Sequence, residues 1–164
     1  SMVMRNLLAG LFALSAVGCY GFSGGGLPPD VKTVAIIPFE NETTSSDLPR
    51  ELTEALREGL EKRLGLRSAS EEKASAIVRG KIIRYELDVP VAISADRTQT
   101  SSARRRLAIS LDIELVRQSD GKVLWQKTGL VAEGEYAERG EATGRKQAID
   151  RIVADVIEGA QSQW

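Results

Sequence analysis

The chain has 164 residues, with 22 basic and 23 acidic side chains, one cysteine and no histidine. The absence of histidine excludes the Ser-His-Asp and Cys-His classes of enzyme and removes the commonest zinc ligand. A net charge of −1 also argues against nucleic-acid binding, for which a strongly basic surface is typical.

Residues 1–18 predict a lipoprotein signal peptide. The apolar run from Leu7 to Val17 fits an export signal and is shorter than the roughly 20 residues that span a bilayer. Ala16 and Gly18 are small residues just before Cys19, in a spacing that resembles the bacterial lipobox. We therefore expect a covalent lipid on Cys19, which anchors the chain to a membrane without spanning it. An ordinary cleaved signal with a buried cysteine nearby is the alternative.

Residues 19–30 predict a lipidated N-terminus and a flexible tether, because they are rich in glycine and proline. Tyr20 follows the cysteine where an aspartate would favour retention at the inner membrane. By resemblance to sorted lipoproteins, this residue favours the outer membrane, with the domain on the periplasmic side.

Residues 31–164 predict a single α+β domain that begins with a strand and a helix. Residues 31–41 are apolar on both alternating faces, which is typical of a strand in the middle of a sheet. Ser46 or Asp47 can cap the following helix, which ends near Gly65. Its apolar stripe is expected to face the core and consists of Leu48, Leu52, Ala55, Leu56, Leu60 and Leu64.

A second strand is predicted over residues 75–87, parallel to the first, with Gly80 at a bulge or beneath a closely packed helix. Residues 88–105 then form a long polar segment. The third strand, residues 106–116, alternates between an apolar face and a face with Asp112 and Glu114.

An Asp120-Gly121 turn predicts a hairpin to a fourth strand over residues 123–136. Apolar residues at helical spacing from Ala142 to Ala160 predict a second helix. The order β-α-β-β-β-α favours a two-layer sandwich, with a four-stranded mixed sheet and both helices on one face. The other face is polar and therefore left open to solvent or a partner.

Acidic residues do not indicate a catalytic or metal site. The first helix interleaves its carboxylates with basic residues, as on a solvated, charge-paired face; they are Glu51, Glu54, Glu58 and Glu61. Asp112 and Glu114 point the same way from one strand, so a carboxylate pair there is geometrically possible. We nevertheless expect no enzyme activity and no cofactor other than the lipid on Cys19.

Several segments in this order resemble the LptE family of lipopolysaccharide-assembly lipoproteins. They are the lipobox with "CYGFSGGGLPPDVKTVAIIPFENET", the helix "LPRELTEALREGLEKRL", "AIVRGKIIRYE", the "DGKVLWQ" hairpin and the C-terminal helix. The resemblance implies a protein that sits as a plug inside the outer-membrane barrel LptD, helps it fold, and contacts lipopolysaccharide on its way to the outer leaflet.

Candidate contact residues follow from that implied role. Tyr20 and Phe22 are candidate aromatic anchors against the barrel, or they pack on the domain's own sheet. Lipopolysaccharide carries phosphates, which guanidinium groups bind in a bidentate manner. The basic candidates are Arg97, Arg104, Arg105, Arg106, Arg117 and Lys122, and the alternative for each is a solvated side chain at a strand end.

An envelope lipoprotein that binds cell-wall synthesis or Tol-type machinery remains a second hypothesis. The segment "VAIIPFEN" also resembles the first strand of the TolB N-terminal domain and of lipoproteins that activate peptidoglycan synthases. The partner discriminates the two, because one hypothesis requires a large β-barrel and the other a penicillin-binding protein or none.

Overall fold

A computed structural model of the chain describes residues 26–88 and 104–162. These residues form six strands and two helices. In chain order they are β1 (Thr33–Ile36), β2 (Glu40–Asn41), α1 (Leu48–Leu64), β3 (Arg67–Ser68), β4 (Ala76–Glu86), β5 (Arg105–Arg117), β6 (Val123–Tyr136) and α2 (Glu141–Ser162).

The strands form one mixed sheet in the order β3-β1-β4-β5-β6, and β2 also pairs with β4. β1 and β2 run parallel to β4, whereas β5 pairs antiparallel with both β4 and β6. The expected α+β class, the parallel first pair and the hairpin are confirmed. The strand count differs from the predicted four because the first strand is interrupted and the two-residue β3 was not predicted.

The interruption of the first strand lies at residues 37–39. The Ile37 amide still donates to the Val78 carbonyl at 2.9 Å, but Pro38 has no amide to continue the ladder. Phe39 turns into the core, where it is 5% exposed. The first strand is therefore interrupted, but β1 itself lies inside the sheet, between β3 and β4, as expected.

Gly80 has no side chain because β5 and Phe39 approach it closely. A Cβ there would overlap the Asp112 carbonyl oxygen and lie 3.0 Å from Phe39 Cε1. No helix approaches this glycine within the contacts described, and the irregularity in β4 falls between Ile82 and Arg84 instead. The close approach at Gly80 is therefore made by β5 and Phe39, and the irregularity of β4 lies further along the strand.

The first helix follows its predicted pattern. Asp47 occupies the N-cap position, although its side chain makes no capping hydrogen bond. Gly65 closes the helix in the left-handed conformation at φ 67°, and its amide donates to the Glu61 carbonyl at 3.0 Å. Its four fully buried leucines are Leu48, Leu52, Leu56 and Leu60. Burial of each contributes about 1.5–3 kcal/mol to the free energy of unfolding.

Both helices pack on the same side of the sheet and run in the same direction. Near their first turns, Arg145 of α2 binds Glu51 of α1; further along, Gly59 of α1 packs against Val153 and Ile157. A Cβ on Gly59 would lie 3.3 Å from the Cδ1 atom of Ile157 and would overlap Val153, so the helices touch at this point. The opposite side of the sheet carries no helix of the described chain.

Candidate interaction surface

The uncovered side of the sheet, which we call the open face, carries charges that pair across strands. Arg79 of β4 lies opposite Glu114 of β5 and donates to it through Nε. Lys81 lies 3.4 Å from Glu42 and 3.6 Å from Glu40. The hydrogen bond with Glu42 raises the pKa of Lys81. The open face is thus polar but locally neutralised.

A cleft of about 390 Å³ lies on the open face where the first strand is interrupted. Ile37 and Pro38 form an apolar wall, and Asp112 and Glu114 lie on the other side. Asp112 Oδ1 accepts a hydrogen bond from the Gly129 amide at 2.8 Å, and Glu114 binds Arg79. Each of these two carboxylates therefore has a partner within the sheet.

Three basic candidates lie together at the start of β5, at what we call the arginine end. Each is matched by a carboxylate of the described chain. Arg104 lies 3.3 Å from Glu135, Arg105 lies 3.5 Å from Asp88, and Arg106 lies 3.4 Å from Glu133 and 3.6 Å from Glu135. The Arg104 side chain is 77% exposed, whereas that of Arg106 is 27% exposed.

The other two described candidates, Arg117 and Lys122, lie at the turn between β5 and β6, which we call the hairpin end. Arg117 binds Asp30 at 3.1 Å and Asp120 at 3.3 Å, and its side chain is 17% exposed. The Lys122 amide donates to Asp120 Oδ1 at 3.0 Å, and this bond lowers the pKa of Asp120. Gly121 accommodates the turn at φ 71°.

The five basic candidates that the structure describes do not form one cluster. Arg106 and Arg117 are separated by most of β5, roughly 36 Å at the rise of an extended strand. The structure therefore groups Arg104 to Arg106 at one end of the domain and Arg117 with Lys122 at the other. Arg97, Cys19, Tyr20 and Phe22 lie outside the described residues.

A polar network that joins α1, α2 and β4 was not found from the sequence. Arg145 binds Glu51 through both carboxylate oxygens, at 2.6 and 3.1 Å. Tyr85 donates to Glu141 at 2.8 Å, and Arg145 Nη1 lies 3.5 Å from the Tyr85 hydroxyl. Burial raises the pKa of Tyr85, and the hydrogen bond with Glu51 raises that of Arg145.

The network corrects the assignment of Glu51 to a solvated face. Glu54 and Glu58 do pair along the exposed side of α1, with Arg50 and Lys62. The Glu51 side chain, in contrast, is 28% exposed and reaches across to the second helix. The i,i+4 spacing of Glu141 and Arg145 could have predicted an ion pair between these two residues, but it does not indicate that Arg145 also binds Glu51 on α1.

The described residues contain no group of acidic, histidine or cysteine side chains that could hold a metal ion. Within the same ranges, no helix is long and apolar enough to cross a membrane. Side-chain polar atoms buried in this part of the chain all have hydrogen-bond partners.

Fold and surface together define an α+β domain whose sheet has one helix-covered face and one charge-paired face. Residues 31–158 match the family described as LptE, lipopolysaccharide-assembly. The chain belongs to the LptE family, as its motifs had indicated. This family acts in assembly, is not enzymatic and does not depend on a cofactor. No curated protein matches the chain significantly.

Solved structures share the fold at low sequence identity. Protein XCC0632 from Xanthomonas campestris has a TM-score of 0.57 and 10% identity, covering 84% of this chain and 90% of its own. The PelC dodecamer from Paraburkholderia phytofirmans has a TM-score of 0.53 and 17% identity, covering 85% and 95%. The hypothetical protein CT253 from Chlamydia trachomatis has a TM-score of 0.50 and 12% identity, covering 79% and 97%. These similarities concern the fold alone.

Proposed function

We propose that this chain is an outer-membrane lipoprotein that acts as the plug and assembly partner of the barrel LptD and assists the insertion of lipopolysaccharide into the outer leaflet. Membership of the LptE family over residues 31–158 is the observation that carries the proposal. It favours this function over a role with cell-wall synthesis or Tol-type machinery.

The open face supports a role inside a larger partner. Its charges are already matched by neighbours, as in the pairs of Arg79 with Glu114 and Lys81 with Glu42. Exposed ion pairs of this kind contribute about 0.2–1 kcal/mol each, so they can exchange partners at little cost. A polar barrel lumen offers such partners, because lumen-facing side chains of outer-membrane barrels are polar.

The tether that carries the proposed lipid on Cys19 would join the domain at the hairpin end. Asp30, where the tether meets the sheet, binds Arg117 at 3.1 Å. The segment from Cys19 to Asp30 has twelve residues, and its eleven Cα–Cα steps span at most about 40 Å when fully extended. Arg117 and Lys122 would then lie at the end of the domain that receives the anchor, and Tyr20 and Phe22 would lie between that end and the membrane.

The arginine end is the better site for a lipopolysaccharide phosphate. Arg104 and Arg105 have side chains 77% and 47% exposed, and their carboxylate partners lie 3.3 and 3.5 Å away. A phosphate that binds two guanidinium groups makes charge-assisted bidentate bonds, which are stronger than these exposed pairs. Phosphate can therefore displace Glu135 and Asp88.

The partner is tested by copurification. The natively produced chain, with a C-terminal affinity tag, is extracted from membranes in mild detergent, and bound proteins are identified by mass spectrometry. We expect a large β-barrel in near-stoichiometric amount. Recovery of a penicillin-binding protein in place of a barrel would support the alternative function and refute this one.

The anchor is tested on the same preparation. Mass spectrometry of the N-terminal peptide should show Cys19 as the first residue, carrying diacylglycerol. The matched variant Cys19→Ser should lose the lipid and leave the outer-membrane fraction. An unmodified Cys19 in the native protein would contradict the lipid anchor without bearing on the barrel.

Lipopolysaccharide contact is tested with two matched triple variants. Arg104→Ala, Arg105→Ala and Arg106→Ala together should weaken binding of purified protein to lipopolysaccharide about tenfold or more. The control replaces three exposed arginines of α1, Arg50, Arg57 and Arg63, by alanine, which changes the net charge equally. Equal affinity of the two variants would exclude the arginine end as the phosphate site.

A further inference from the structure

Asp88 follows β4 and bridges the two strands β5 and β6 at the arginine end. Its Oδ1 atom accepts a hydrogen bond at 3.4 Å from the hydroxyl of Tyr136, the last residue of β6. The same oxygen lies 3.5 Å from Nε of Arg105, the first residue of β5. Asp88 has a φ of 57°, in the left-handed region that aspartate and asparagine tolerate better than most residues. One carboxylate oxygen therefore serves both a tyrosine and an arginine of the proposed phosphate site.

The two partners of Asp88 differ in how firmly they are held. Tyr136 is 6% exposed, and its ring packs against Gly144 of α2, where an added Cβ would lie 2.9 Å from Tyr136 Cδ1. The Arg105 side chain, in contrast, is 47% exposed. A closely packed ring has little freedom to move, whereas an exposed guanidinium can change partners at little cost. Tyr136 therefore holds the carboxylate in place, and Arg105 is its movable partner.

The other carboxylates at the arginine end have no such fixed partner within the described residues. Those of Glu133 and Glu135 form ion pairs and hydrogen bonds with arginines only, namely Arg104 and Arg106. Each can therefore move together with the guanidinium group that it binds. Of the three carboxylates that match these arginines in this part of the chain, that of Asp88 alone is bound by a buried side chain.

We propose that Asp88 is an internal competitor for the phosphate that binds Arg105, and that Tyr136 is the positioning residue that keeps this competitor in place. The inference rests on the proposed phosphate site at the arginine end. A bound phosphate takes Arg105 away from Asp88. The hydrogen bond with Tyr136 does not involve Arg105, so it keeps the carboxylate close to the site. When the ligand leaves, Asp88 binds Arg105 again.

Such a competitor makes phosphate binding weaker and readily reversible. The apparent affinity of the ligand is reduced in proportion to the fraction of Arg105 that is free of Asp88. An exposed ion pair of this kind shifts that equilibrium about two- to fivefold. A protein that passes lipopolysaccharide onward has to release it as well as bind it, and a carboxylate that returns to the arginine favours release. Asp88 therefore sets how tightly the arginine end holds its ligand.

Removal of one negative charge tests the competition. The full-length protein, purified in mild detergent, is titrated with purified lipopolysaccharide by isothermal titration calorimetry. Asp88→Asn should bind about two- to fivefold more tightly than the unchanged protein, because asparagine tolerates the left-handed backbone but forms no ion pair. The matched control is Glu86→Gln at the end of β4, where Glu86 pairs with Arg84 and not with the arginine end. Its affinity should stay close to that of the unchanged protein, and dephosphorylated lipopolysaccharide should bind all three proteins equally.

A double-mutant cycle tests the positioning by Tyr136. Tyr136→Phe removes the hydroxyl without changing any charge and should tighten binding about twofold, because Asp88 is then held less firmly beside Arg105. Asp88→Asn combined with Tyr136→Phe should bind no more tightly than Asp88→Asn alone, since the hydroxyl then has no competing carboxylate to position. A merely structural role of Tyr136 would give the same effect in both backgrounds.

The remaining outcomes overturn the proposal. Unchanged or weaker binding by Asp88→Asn would exclude Asp88 as a competitor, and additive effects of the two substitutions would exclude positioning by Tyr136. The triple alanine variant of Arg104, Arg105 and Arg106 separates these results from a failure of the proposed function. If that variant loses affinity while Asp88→Asn changes nothing, the phosphate site stands without the competitor. If the triple variant binds normally, the phosphate site is excluded and the competitor with it.

Discussion

Replacement of Gly134 by alanine should destabilise the domain by forcing α2 away from the sheet. A Cβ at this position would overlap the Gly144 carbonyl oxygen and lie 2.7 Å from the carbonyl carbon. Ordinary contacts of a Cβ begin at 3.4 Å, so the carbonyl carbon alone requires about 0.7 Å of separation and the overlapping carbonyl oxygen requires more. Both neighbours are main-chain atoms, and no side chain can rotate to relieve the overlap.

We expect a loss of about 2–3 kcal/mol in the free energy of unfolding, at the upper end of the range for overpacked cores. For a domain of this size that corresponds to a decrease of roughly 5–10 °C in Tm. Thermal and urea unfolding followed by circular dichroism measure both quantities. Gly26→Ala is the control, because nothing lies within 4 Å of the added Cβ. Equal Tm values for the two variants would refute the close approach of α2 to β6.

Three further substitutions test the polar network and the hairpin. Arg145→Met should lower the free energy of unfolding, measured with urea, by about 1–2 kcal/mol, because it leaves the partly buried Glu51 without its bidentate partner. The control is Arg50→Met on the exposed side of α1, which should lower it by less than about 0.5 kcal/mol. Tyr85→Phe should flatten the pH dependence of Tm above about pH 10. The pKa of Tyr85 is higher in the folded state than in the unfolded chain, so its contribution to stability is complete below the unfolded-state pKa. This contribution is lost as the pH rises through the folded-state pKa. An unchanged alkaline slope would contradict this assignment. Gly121→Ala should lower the free energy of unfolding by about 1 kcal/mol, because φ is 71° at that position, and an unaltered urea midpoint would argue against the left-handed turn.

The hairpin and both helices could be predicted because each depends on a local pattern. The Asp120-Gly121 turn and the flanking alternation predict β6 with the bounds observed, Val123–Tyr136. The leucine spacing from Leu48 to Leu64 likewise gives the limits of α1. In these segments the local preference and the packed structure agree, and short-range reasoning is therefore sufficient.

Other features depend on contacts between distant parts of the chain. The break near Pro38 results from Phe39 entering the core over Gly80, which no periodicity in residues 31–41 indicates. β3 consists of two polar residues, Arg67 and Ser68. They pair with β1 because the end of α1 brings Arg67 beside that strand. The three arginines of the arginine end could be predicted as a group at the start of the third strand. Their pairing with Glu133, Glu135 and Asp88 depends on strand register, which the local sequence pattern does not indicate.

The described chain enters and leaves the domain on the same side. Asp30 is bound to Arg117 beside the hairpin, and α2 returns to that side, where Gly159 lies against the indole of Trp125. A circularly permuted chain, opened at a distant loop and closed across this side, would need only a short joining peptide. Equally, an anchor engineered at the end of α2 would hold the domain in the same orientation as the proposed lipid on Cys19, because Asp30 and Gly159 lie on the same side of the domain.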